Sequence, residues 1–152
     1  IRTAILDTGA PLQDEVEFLL RQVLREPRIY FGILAAIVAP NVIGRVDDAQ
    51  ITKAKAEIAN IENAMKFYRL DNFTYPTTEQ GIDALVTRPT DPNIRNWKPG
   101  GYLDRVPKDP WGNEFVYLSP GLQGDFDIIS YGADGVPGGE NENKDINNWE
   151  IE

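Results

Sequence analysis

The chain has 152 residues, 15 Lys and Arg against 24 Asp and Glu, no His and no Cys, and a formal net charge of −9. Those absences exclude Ser-His-Asp and Cys-His nucleophiles, CxxC redox pairs, disulfides and the usual zinc and haem sites, because the bases and ligands are missing. The acidic balance argues against nucleic acid as a partner, since a phosphate backbone requires a cationic field, while the length and the 41% apolar share describe one globular domain.

Residues 14–25 carry acids in their first turn, bases in their last, and Val16, Leu19, Leu20, Val23 and Leu24 on one face, which predicts a short amphipathic helix. The run Ile29–Ile43 is apolar on all sides but about 15 residues long, short of the roughly 20 that a membrane span needs. It reads as half a span or as a buried core helix, and Pro40 kinks either one. From Val46 to Leu70 the residues Ile51, Ala54, Ile58, Ile61, Met65 and Tyr68 recur at steps of three and four, predicting a helix with one apolar stripe. Lys53 with Glu57 and Glu62 with Lys66 decorate its other sides as i,i+4 pairs. Taken as one helix, Gly32–Leu70 reaches roughly 58 Å at 1.5 Å per residue. That is too long for a compact domain of this size, so the stripe is expected to be shared between the chain's own sheet and a neighbouring copy.

After Asn72 the pattern changes to turns and short strands. Thr77 or Thr78, with Glu79 and Gln80 near the third position, caps a further short helix, and residues 87–100, with Pro89, Pro92, Pro99 and Gly100, form a long surface loop. The turn Asp109-Pro110-Trp111-Gly112-Asn113 feeds a strand over residues 114–118, a second strand covers 126–131, and a third lies within 146–151. Helix first and antiparallel strands after make the class α+β. Trp111 is expected to pack in the core and Trp149 to pin the C-terminal loop onto the sheet. Asp125 and Asp127 stand on the same face of a strand, and a solvated strand face explains them better than the carboxylate pair of a glycan hydrolase. No enzymatic chemistry is expected.

Asp125–Glu152 holds eight acids and one base, Lys144, so this tail contributes −7 of the −9. Asp134 and Asp145 imitate the first and twelfth positions of an EF-hand with Gly139 sixth, but Val136 and Gly138 occupy the third and fifth positions and no helices flank the loop. The EF-hand match is therefore a decoy.

Gly32–Asn41, Tyr68-Arg69-Leu70-Asp71-Asn72, Tyr75–Gly81, Asp109–Asn113, Gly132-Ala133-Asp134-Gly135 and Asp145-Ile146-Asn147-Asn148-Trp149 together resemble the major pseudopilins of the bacterial type II secretion system. Six motifs in order span about 80% of the chain, residues 32–152. The resemblance implies a pilin-like fold: a long N-terminal helix (32–70), a connecting region (71–108), then a small three-stranded antiparallel sheet and a calcium-binding loop (109–152). It implies a subunit anchored in the inner membrane, methylated on processing, and polymerised into a periplasmic pseudopilus that helps export folded proteins. Minor pseudopilins and the inner-membrane assembly platform are the implied partners. For the loop it implies Ca²⁺ as cofactor, held by Asp134, Asp145 and the backbone carbonyl of Tyr131. Lys144 stands where some relatives carry an acid, leaving Glu140, Glu142 and Asn143 as candidate additional ligands. The basic leader and the Gly-Phe-Thr-Leu-x-Glu processing site do not appear upstream of Gly32, and residues 1–31 carry nine charges where the family has its anchor. That segment is expected to be foreign to the family and to leave the chain soluble. The competing readings are a soluble calcium-dependent binding module and a minor or type IV pilin-like subunit.

Overall fold

The computed structural model describes Glu17, Phe18, Arg21 and residues 27–151, with side chains from Gly44 onward in the long helix. Most of the helix expected over 14–25 lies outside the described residues; Glu17, Phe18 and Arg21 are helical, and Glu17 and Arg21 form an exposed i,i+4 ion pair. The chain divides into two compact units, residues 1–45 and 46–152.

The long helix α1 runs from Pro27 to Asn72. It begins earlier than the periodicity indicated because proline fits a first helical position, where its missing N–H is not needed. Pro40 lies within it. Its end is set by Phe73, which takes φ +63° and donates its N–H to the Arg69 carbonyl at 2.7 Å, a left-handed cap that glycine usually supplies. Among the described residues no helix is long and apolar enough to cross a membrane.

Within residues 46–152 the predicted stripe is the spine of the core. Ala54, Ile58, Ile61, Met65 and Tyr68 are fully buried, joined by Ala64, and form one cluster with Phe115, Tyr117, Phe126, Ile128 and Ile146. Each fully buried large side chain contributes roughly 1.5–3 kcal/mol. The stripe is spent inside the unit, so the expectation that it is shared with a neighbour is corrected: only Ile51, at its N-terminal end, remains partly exposed.

Three antiparallel strands, β1 (Val116–Leu118), β2 (Asp127–Ser130) and β3 (Ile146–Asn147), form one sheet in that order. Tyr117 pairs with Ile128, and Ser130 with Ile146. All three are shorter than the runs that predicted them. Glu114 bridges back to Lys108 across the 109–113 turn, and after Asn147 the chain coils into a 3₁₀ helix, Asn148–Glu150. The expected helix after Thr77 is a capped turn: Thr77 Oγ1 accepts the Gln80 N–H at 3.2 Å while Gln80 Oε1 accepts the Thr77 N–H at 3.0 Å. Gly81, at φ +62°, then diverts the chain into a 3₁₀ helix, Ile82–Leu85.

Burial raises the Tyr68 and Tyr117 hydroxyls from 10.0 to about 12, with Tyr102 and Asp91 adding to the effect at Tyr68. A neutral hydroxyl retained in the folded chain, where the unfolded chain ionises, stabilises fully below pH 10 and is lost as pH rises through 12. Melting temperature is therefore expected to hold up to about pH 10 and fall between 10 and 12, with a smaller fall in Tyr117→Phe. A flat profile over that window contradicts the assignment.

Candidate functional site

Two regions of the 46–152 unit gather functional chemistry: the loop over residues 131–145 between β2 and β3, and a groove beside α1. The loop begins where β2 ends. Buried Ser130 gives its hydroxyl proton to Asp109 Oδ2 at 2.8 Å, and its oxygen accepts the Gly132 N–H at 3.3 Å. Asp109, itself buried, uses Oδ1 to accept the N–H groups of Trp111 at 3.2 Å and Asn113 at 2.7 Å, which closes the predicted turn. A buried carboxylate is tolerated when its bonds are all made, as here. Asn113 then donates Nδ2 to the Gly132 carbonyl at 3.1 Å, tying the turn to the loop.

The two arms of the loop lie against each other. Ala133 donates its N–H to the Glu142 carbonyl at 2.9 Å, and at Gly132, with φ +66°, a Cβ would sit 2.7 Å from that oxygen. A Cβ on Gly139, at φ +97°, would collide with the Asn143 carbonyl. Only glycine lets these backbones meet. Asp134, exposed, accepts the Val136 N–H at 3.2 Å, and Asp145 receives the Gly138 N–H on both oxygens, at 3.0 and 2.9 Å. Asp134 and Asp145 thus stand on opposite arms, and Tyr131 stands at the entry of the first. Glu140 is exposed and Asn143 half-buried. Glu142 is engaged elsewhere: a hydrogen bond with Asp47 on α1, and that residue's negative charge, hold its carboxyl above the ordinary range. Among the described residues no three carboxylates form a cluster. The donor set is two aspartates, backbone carbonyls and amide or carboxylate oxygens, with no nitrogen or sulfur ligand, and this chemistry fits a hard cation such as Ca²⁺.

Asp127 corrects the solvated-strand reading. It is 1% exposed and accepts the N–H groups of Leu122 at 2.7 Å and Gln123 at 3.3 Å, closing the turn before β2. Asp125 lies outside the strand and pairs with Arg69 at 3.0 Å. Asp127 is thus enclosed beneath that turn and out of contact with solvent. Trp111 packs against the core as expected, but Trp149 is 39% exposed. The pinning falls to Asn148, whose Oδ1 accepts the Ile128 N–H at 2.9 Å and whose Nδ2 donates to Glu62 Oε1 at 3.1 Å. Sequence reading missed Asn148 because a polar residue beside an indole gives no periodic signal.

Along α1, the groove is lined by Lys53, Lys98, Arg105 and Lys108 together with Glu57 and Asp104, so bases outnumber acids there on an acidic chain. At the end of the helix Phe67, Leu70 and Phe73 are exposed, as is Leu122.

Comparison with known proteins gives the same picture throughout. The family described as type II secretion system protein G matches residues 41–149. The type II secretion system core protein G of Vibrio cholerae is 52% identical over 124 residues, covering 82% of this chain and 85% of that protein. Its Pseudomonas aeruginosa counterpart is 50% identical over 123 residues, covering 80% and 87%. The crystal structure of the major pseudopilin from the type 2 secretion system of enterohaemorrhagic Escherichia coli superposes with a TM-score of 0.63 at 47% identity, covering 72% of this chain and 95% of that one.

Asn148→Ala is expected to cost about 1–3 kcal/mol, because it leaves the Ile128 N–H without its acceptor. Urea melts of wild type and Asn148→Ala check this, and an unchanged stability overturns the assignment.

Proposed function

The chain belongs to the type II secretion system protein G family, and from that premise we propose that it is a structural subunit rather than a catalyst. In this reading it polymerises with copies of itself into a periplasmic pseudopilus that helps move folded proteins across the outer membrane. The observation that carries the reading is the family match over residues 41–149, which runs through the 46–72 part of α1, all three strands and the loop. Before assembly the subunit stands at the inner membrane, with minor pseudopilins and the assembly platform as partners.

The same reading gives the 131–145 loop a bound Ca²⁺. Asp134, Asp145 and the Tyr131 carbonyl would hold it, with Glu140 and Asn143 as further oxygen donors and Glu142 contributing only by leaving Asp47. The ion supplies positive charge that offsets carboxylate repulsion and ties the two arms together. The chain's own part is to keep the arms in register through the Ala133–Glu142 bond and the glycines that permit it.

For a site filled to 100 times its dissociation constant, linkage adds about 2.7 kcal/mol, worth several degrees in melting temperature. Wild type is expected to melt higher in millimolar Ca²⁺ than in EGTA, and Asp134→Asn and Asp145→Asn each to lose most of the difference. Equal wild-type melts in the two buffers sink the calcium site; a shift kept by both variants means other ligands.

Assembly is tested on α1. Lys53 is exposed and Glu57 half-buried at the groove, clear of the buried stripe. Lys53→Glu and Glu57→Lys are expected to reduce filament crosslinks in cells while leaving the melting temperature of the purified chain within about 2 °C, as surface changes do. Normal filaments from both reversals would exclude this face.

A further inference from the structure

We propose that Ser130 and Asp109 are positioning residues for the cation loop: they fix the Tyr131–Gly132 peptide plane, and with it the direction of the Tyr131 carbonyl, an inference that rests on the calcium reading above.

Proton bookkeeping around Ser130 sets the direction. A serine hydroxyl has one proton and two lone pairs. The proton goes to Asp109 Oδ2, which as a carboxylate only accepts, so the Ser130 oxygen is left to accept, and it receives the Gly132 N–H. Asp109 cannot turn away, because its other oxygen holds two amides of the 109–113 turn. Ser130 is fully buried and Asp109 is 4% exposed, so water does not compete for these bonds.

A trans peptide is planar, with its C=O and N–H pointing in opposite directions. Holding the Gly132 N–H on Ser130 therefore turns the Tyr131 carbonyl to the side away from Ser130. The next peptide is held as well, since Asn113 donates to the Gly132 carbonyl. Both peptides flanking Gly132 thus trace back to Asp109, one through Ser130 and one through Asn113. The glycine between them has φ +66°, and a Cβ there would collide with the Glu142 carbonyl, so only glycine fits at this position. An apolar pair at positions 109 and 130 would leave the two turn amides and the Gly132 N–H without acceptors, so the carboxylate that closes the 109–113 turn also sets the direction of the Tyr131–Gly132 peptide.

The test uses the full chain stripped with EGTA and titrated with CaCl₂ by calorimetry, as wild type, Ser130→Ala, Ser130→Thr and Asn113→Ala. Ser130→Ala is expected to raise the calcium dissociation constant about five- to tenfold, the effect of losing one buried hydrogen bond. Ser130→Thr, which keeps the hydroxyl, is expected to restore it to within about threefold. A merely structural role would not move the second readout, the calcium-induced change in the ¹³C shift of the Tyr131 carbonyl. That change is expected to shrink in Ser130→Ala at saturating Ca²⁺ while those of the Asp134 and Asp145 carboxylates persist. Should Ser130→Ala not fold, Asn113→Ala at a half-buried position carries the test through the second peptide, again with weakened binding. Wild-type binding with unchanged affinity in Ser130→Ala, or in Asn113→Ala where that variant carries the test, overturns the positioning role and leaves the calcium reading standing. No binding by wild type overturns the calcium reading itself.

Discussion

Everything in the 46–152 unit is built against one surface, the row of side chains from Ala54 to Tyr68 that α1 buries. A sheet of three strands, with two, three or four residues in each, is too small to stand alone, because isolated short hairpins are marginal in water. Here it persists because the inward residues Tyr117, Phe126, Ile128 and Ile146 meet the helix in one continuous cluster. The connecting region is braced within itself, where the Trp97 indole donates to the Ala84 carbonyl at 2.8 Å, and is tied to α1 by Tyr102, whose ring lies tilted 5.4 Å from that of Tyr68 and whose hydroxyl donates to Asp71. With the sheet fixed on the helix, the position of every loop that leaves the sheet follows.

Acidity is the second constraint, and the chain meets it residue by residue. Asp109 and Asp127, the two acids pulled into the interior, are bonded to backbone amides that close the turns beside them. Asp125 has Arg69, and Asp145 has the Gly138 amide. Glu142 meets a like charge, Asp47, and its carboxyl is raised in consequence. The loop therefore concentrates charge that the fold has compensated elsewhere, which is the setting in which a dication gains most.

Periodicity carried the helix, its stripe and the α+β class, because a 3.6-residue repeat reports burial directly. Turn chemistry carried Asp109–Asn113 and the Thr77 cap for the same reason: Asp and Thr bond their own backbone within a few residues. What the sequence could not convey was contact that no regular repeat or turn signature encodes. Asp127 looks like an alternating, outward residue and is buried because amides five and four residues earlier in the chain reach it. Asn148 acts across 86 positions on Glu62, a distance no local pattern encodes. Phe73 is a third case, since a left-handed aromatic at a helix end contradicts propensity and is held there by the chain leaving α1. In the loop, the residues Asp134, Asp145 and Tyr131 were legible as candidates, but the clamp on Gly132 was not, being assembled from a turn about 20 residues upstream.

Because the stripe from Ala54 to Tyr68 is consumed internally, association of the proposed kind draws on surfaces outside it, among them the charged groove and the exposed Phe67, Leu70 and Phe73. Copies of a chain at −9 repel one another unless charge is unevenly placed. It is unevenly placed here: most of the excess sits in the C-terminal tail, while one groove sets four bases, Lys53, Lys98, Arg105 and Lys108, against two acids, Glu57 and Asp104. Two unlike patches on one chain favour a head-to-tail arrangement over a self-matching one, and a head-to-tail contact that does not close on itself propagates as a filament. A fold that hides its apolar stripe and places its charge unevenly adds to a growing array without opening its core, and the charged share of that contact weakens as ionic strength rises.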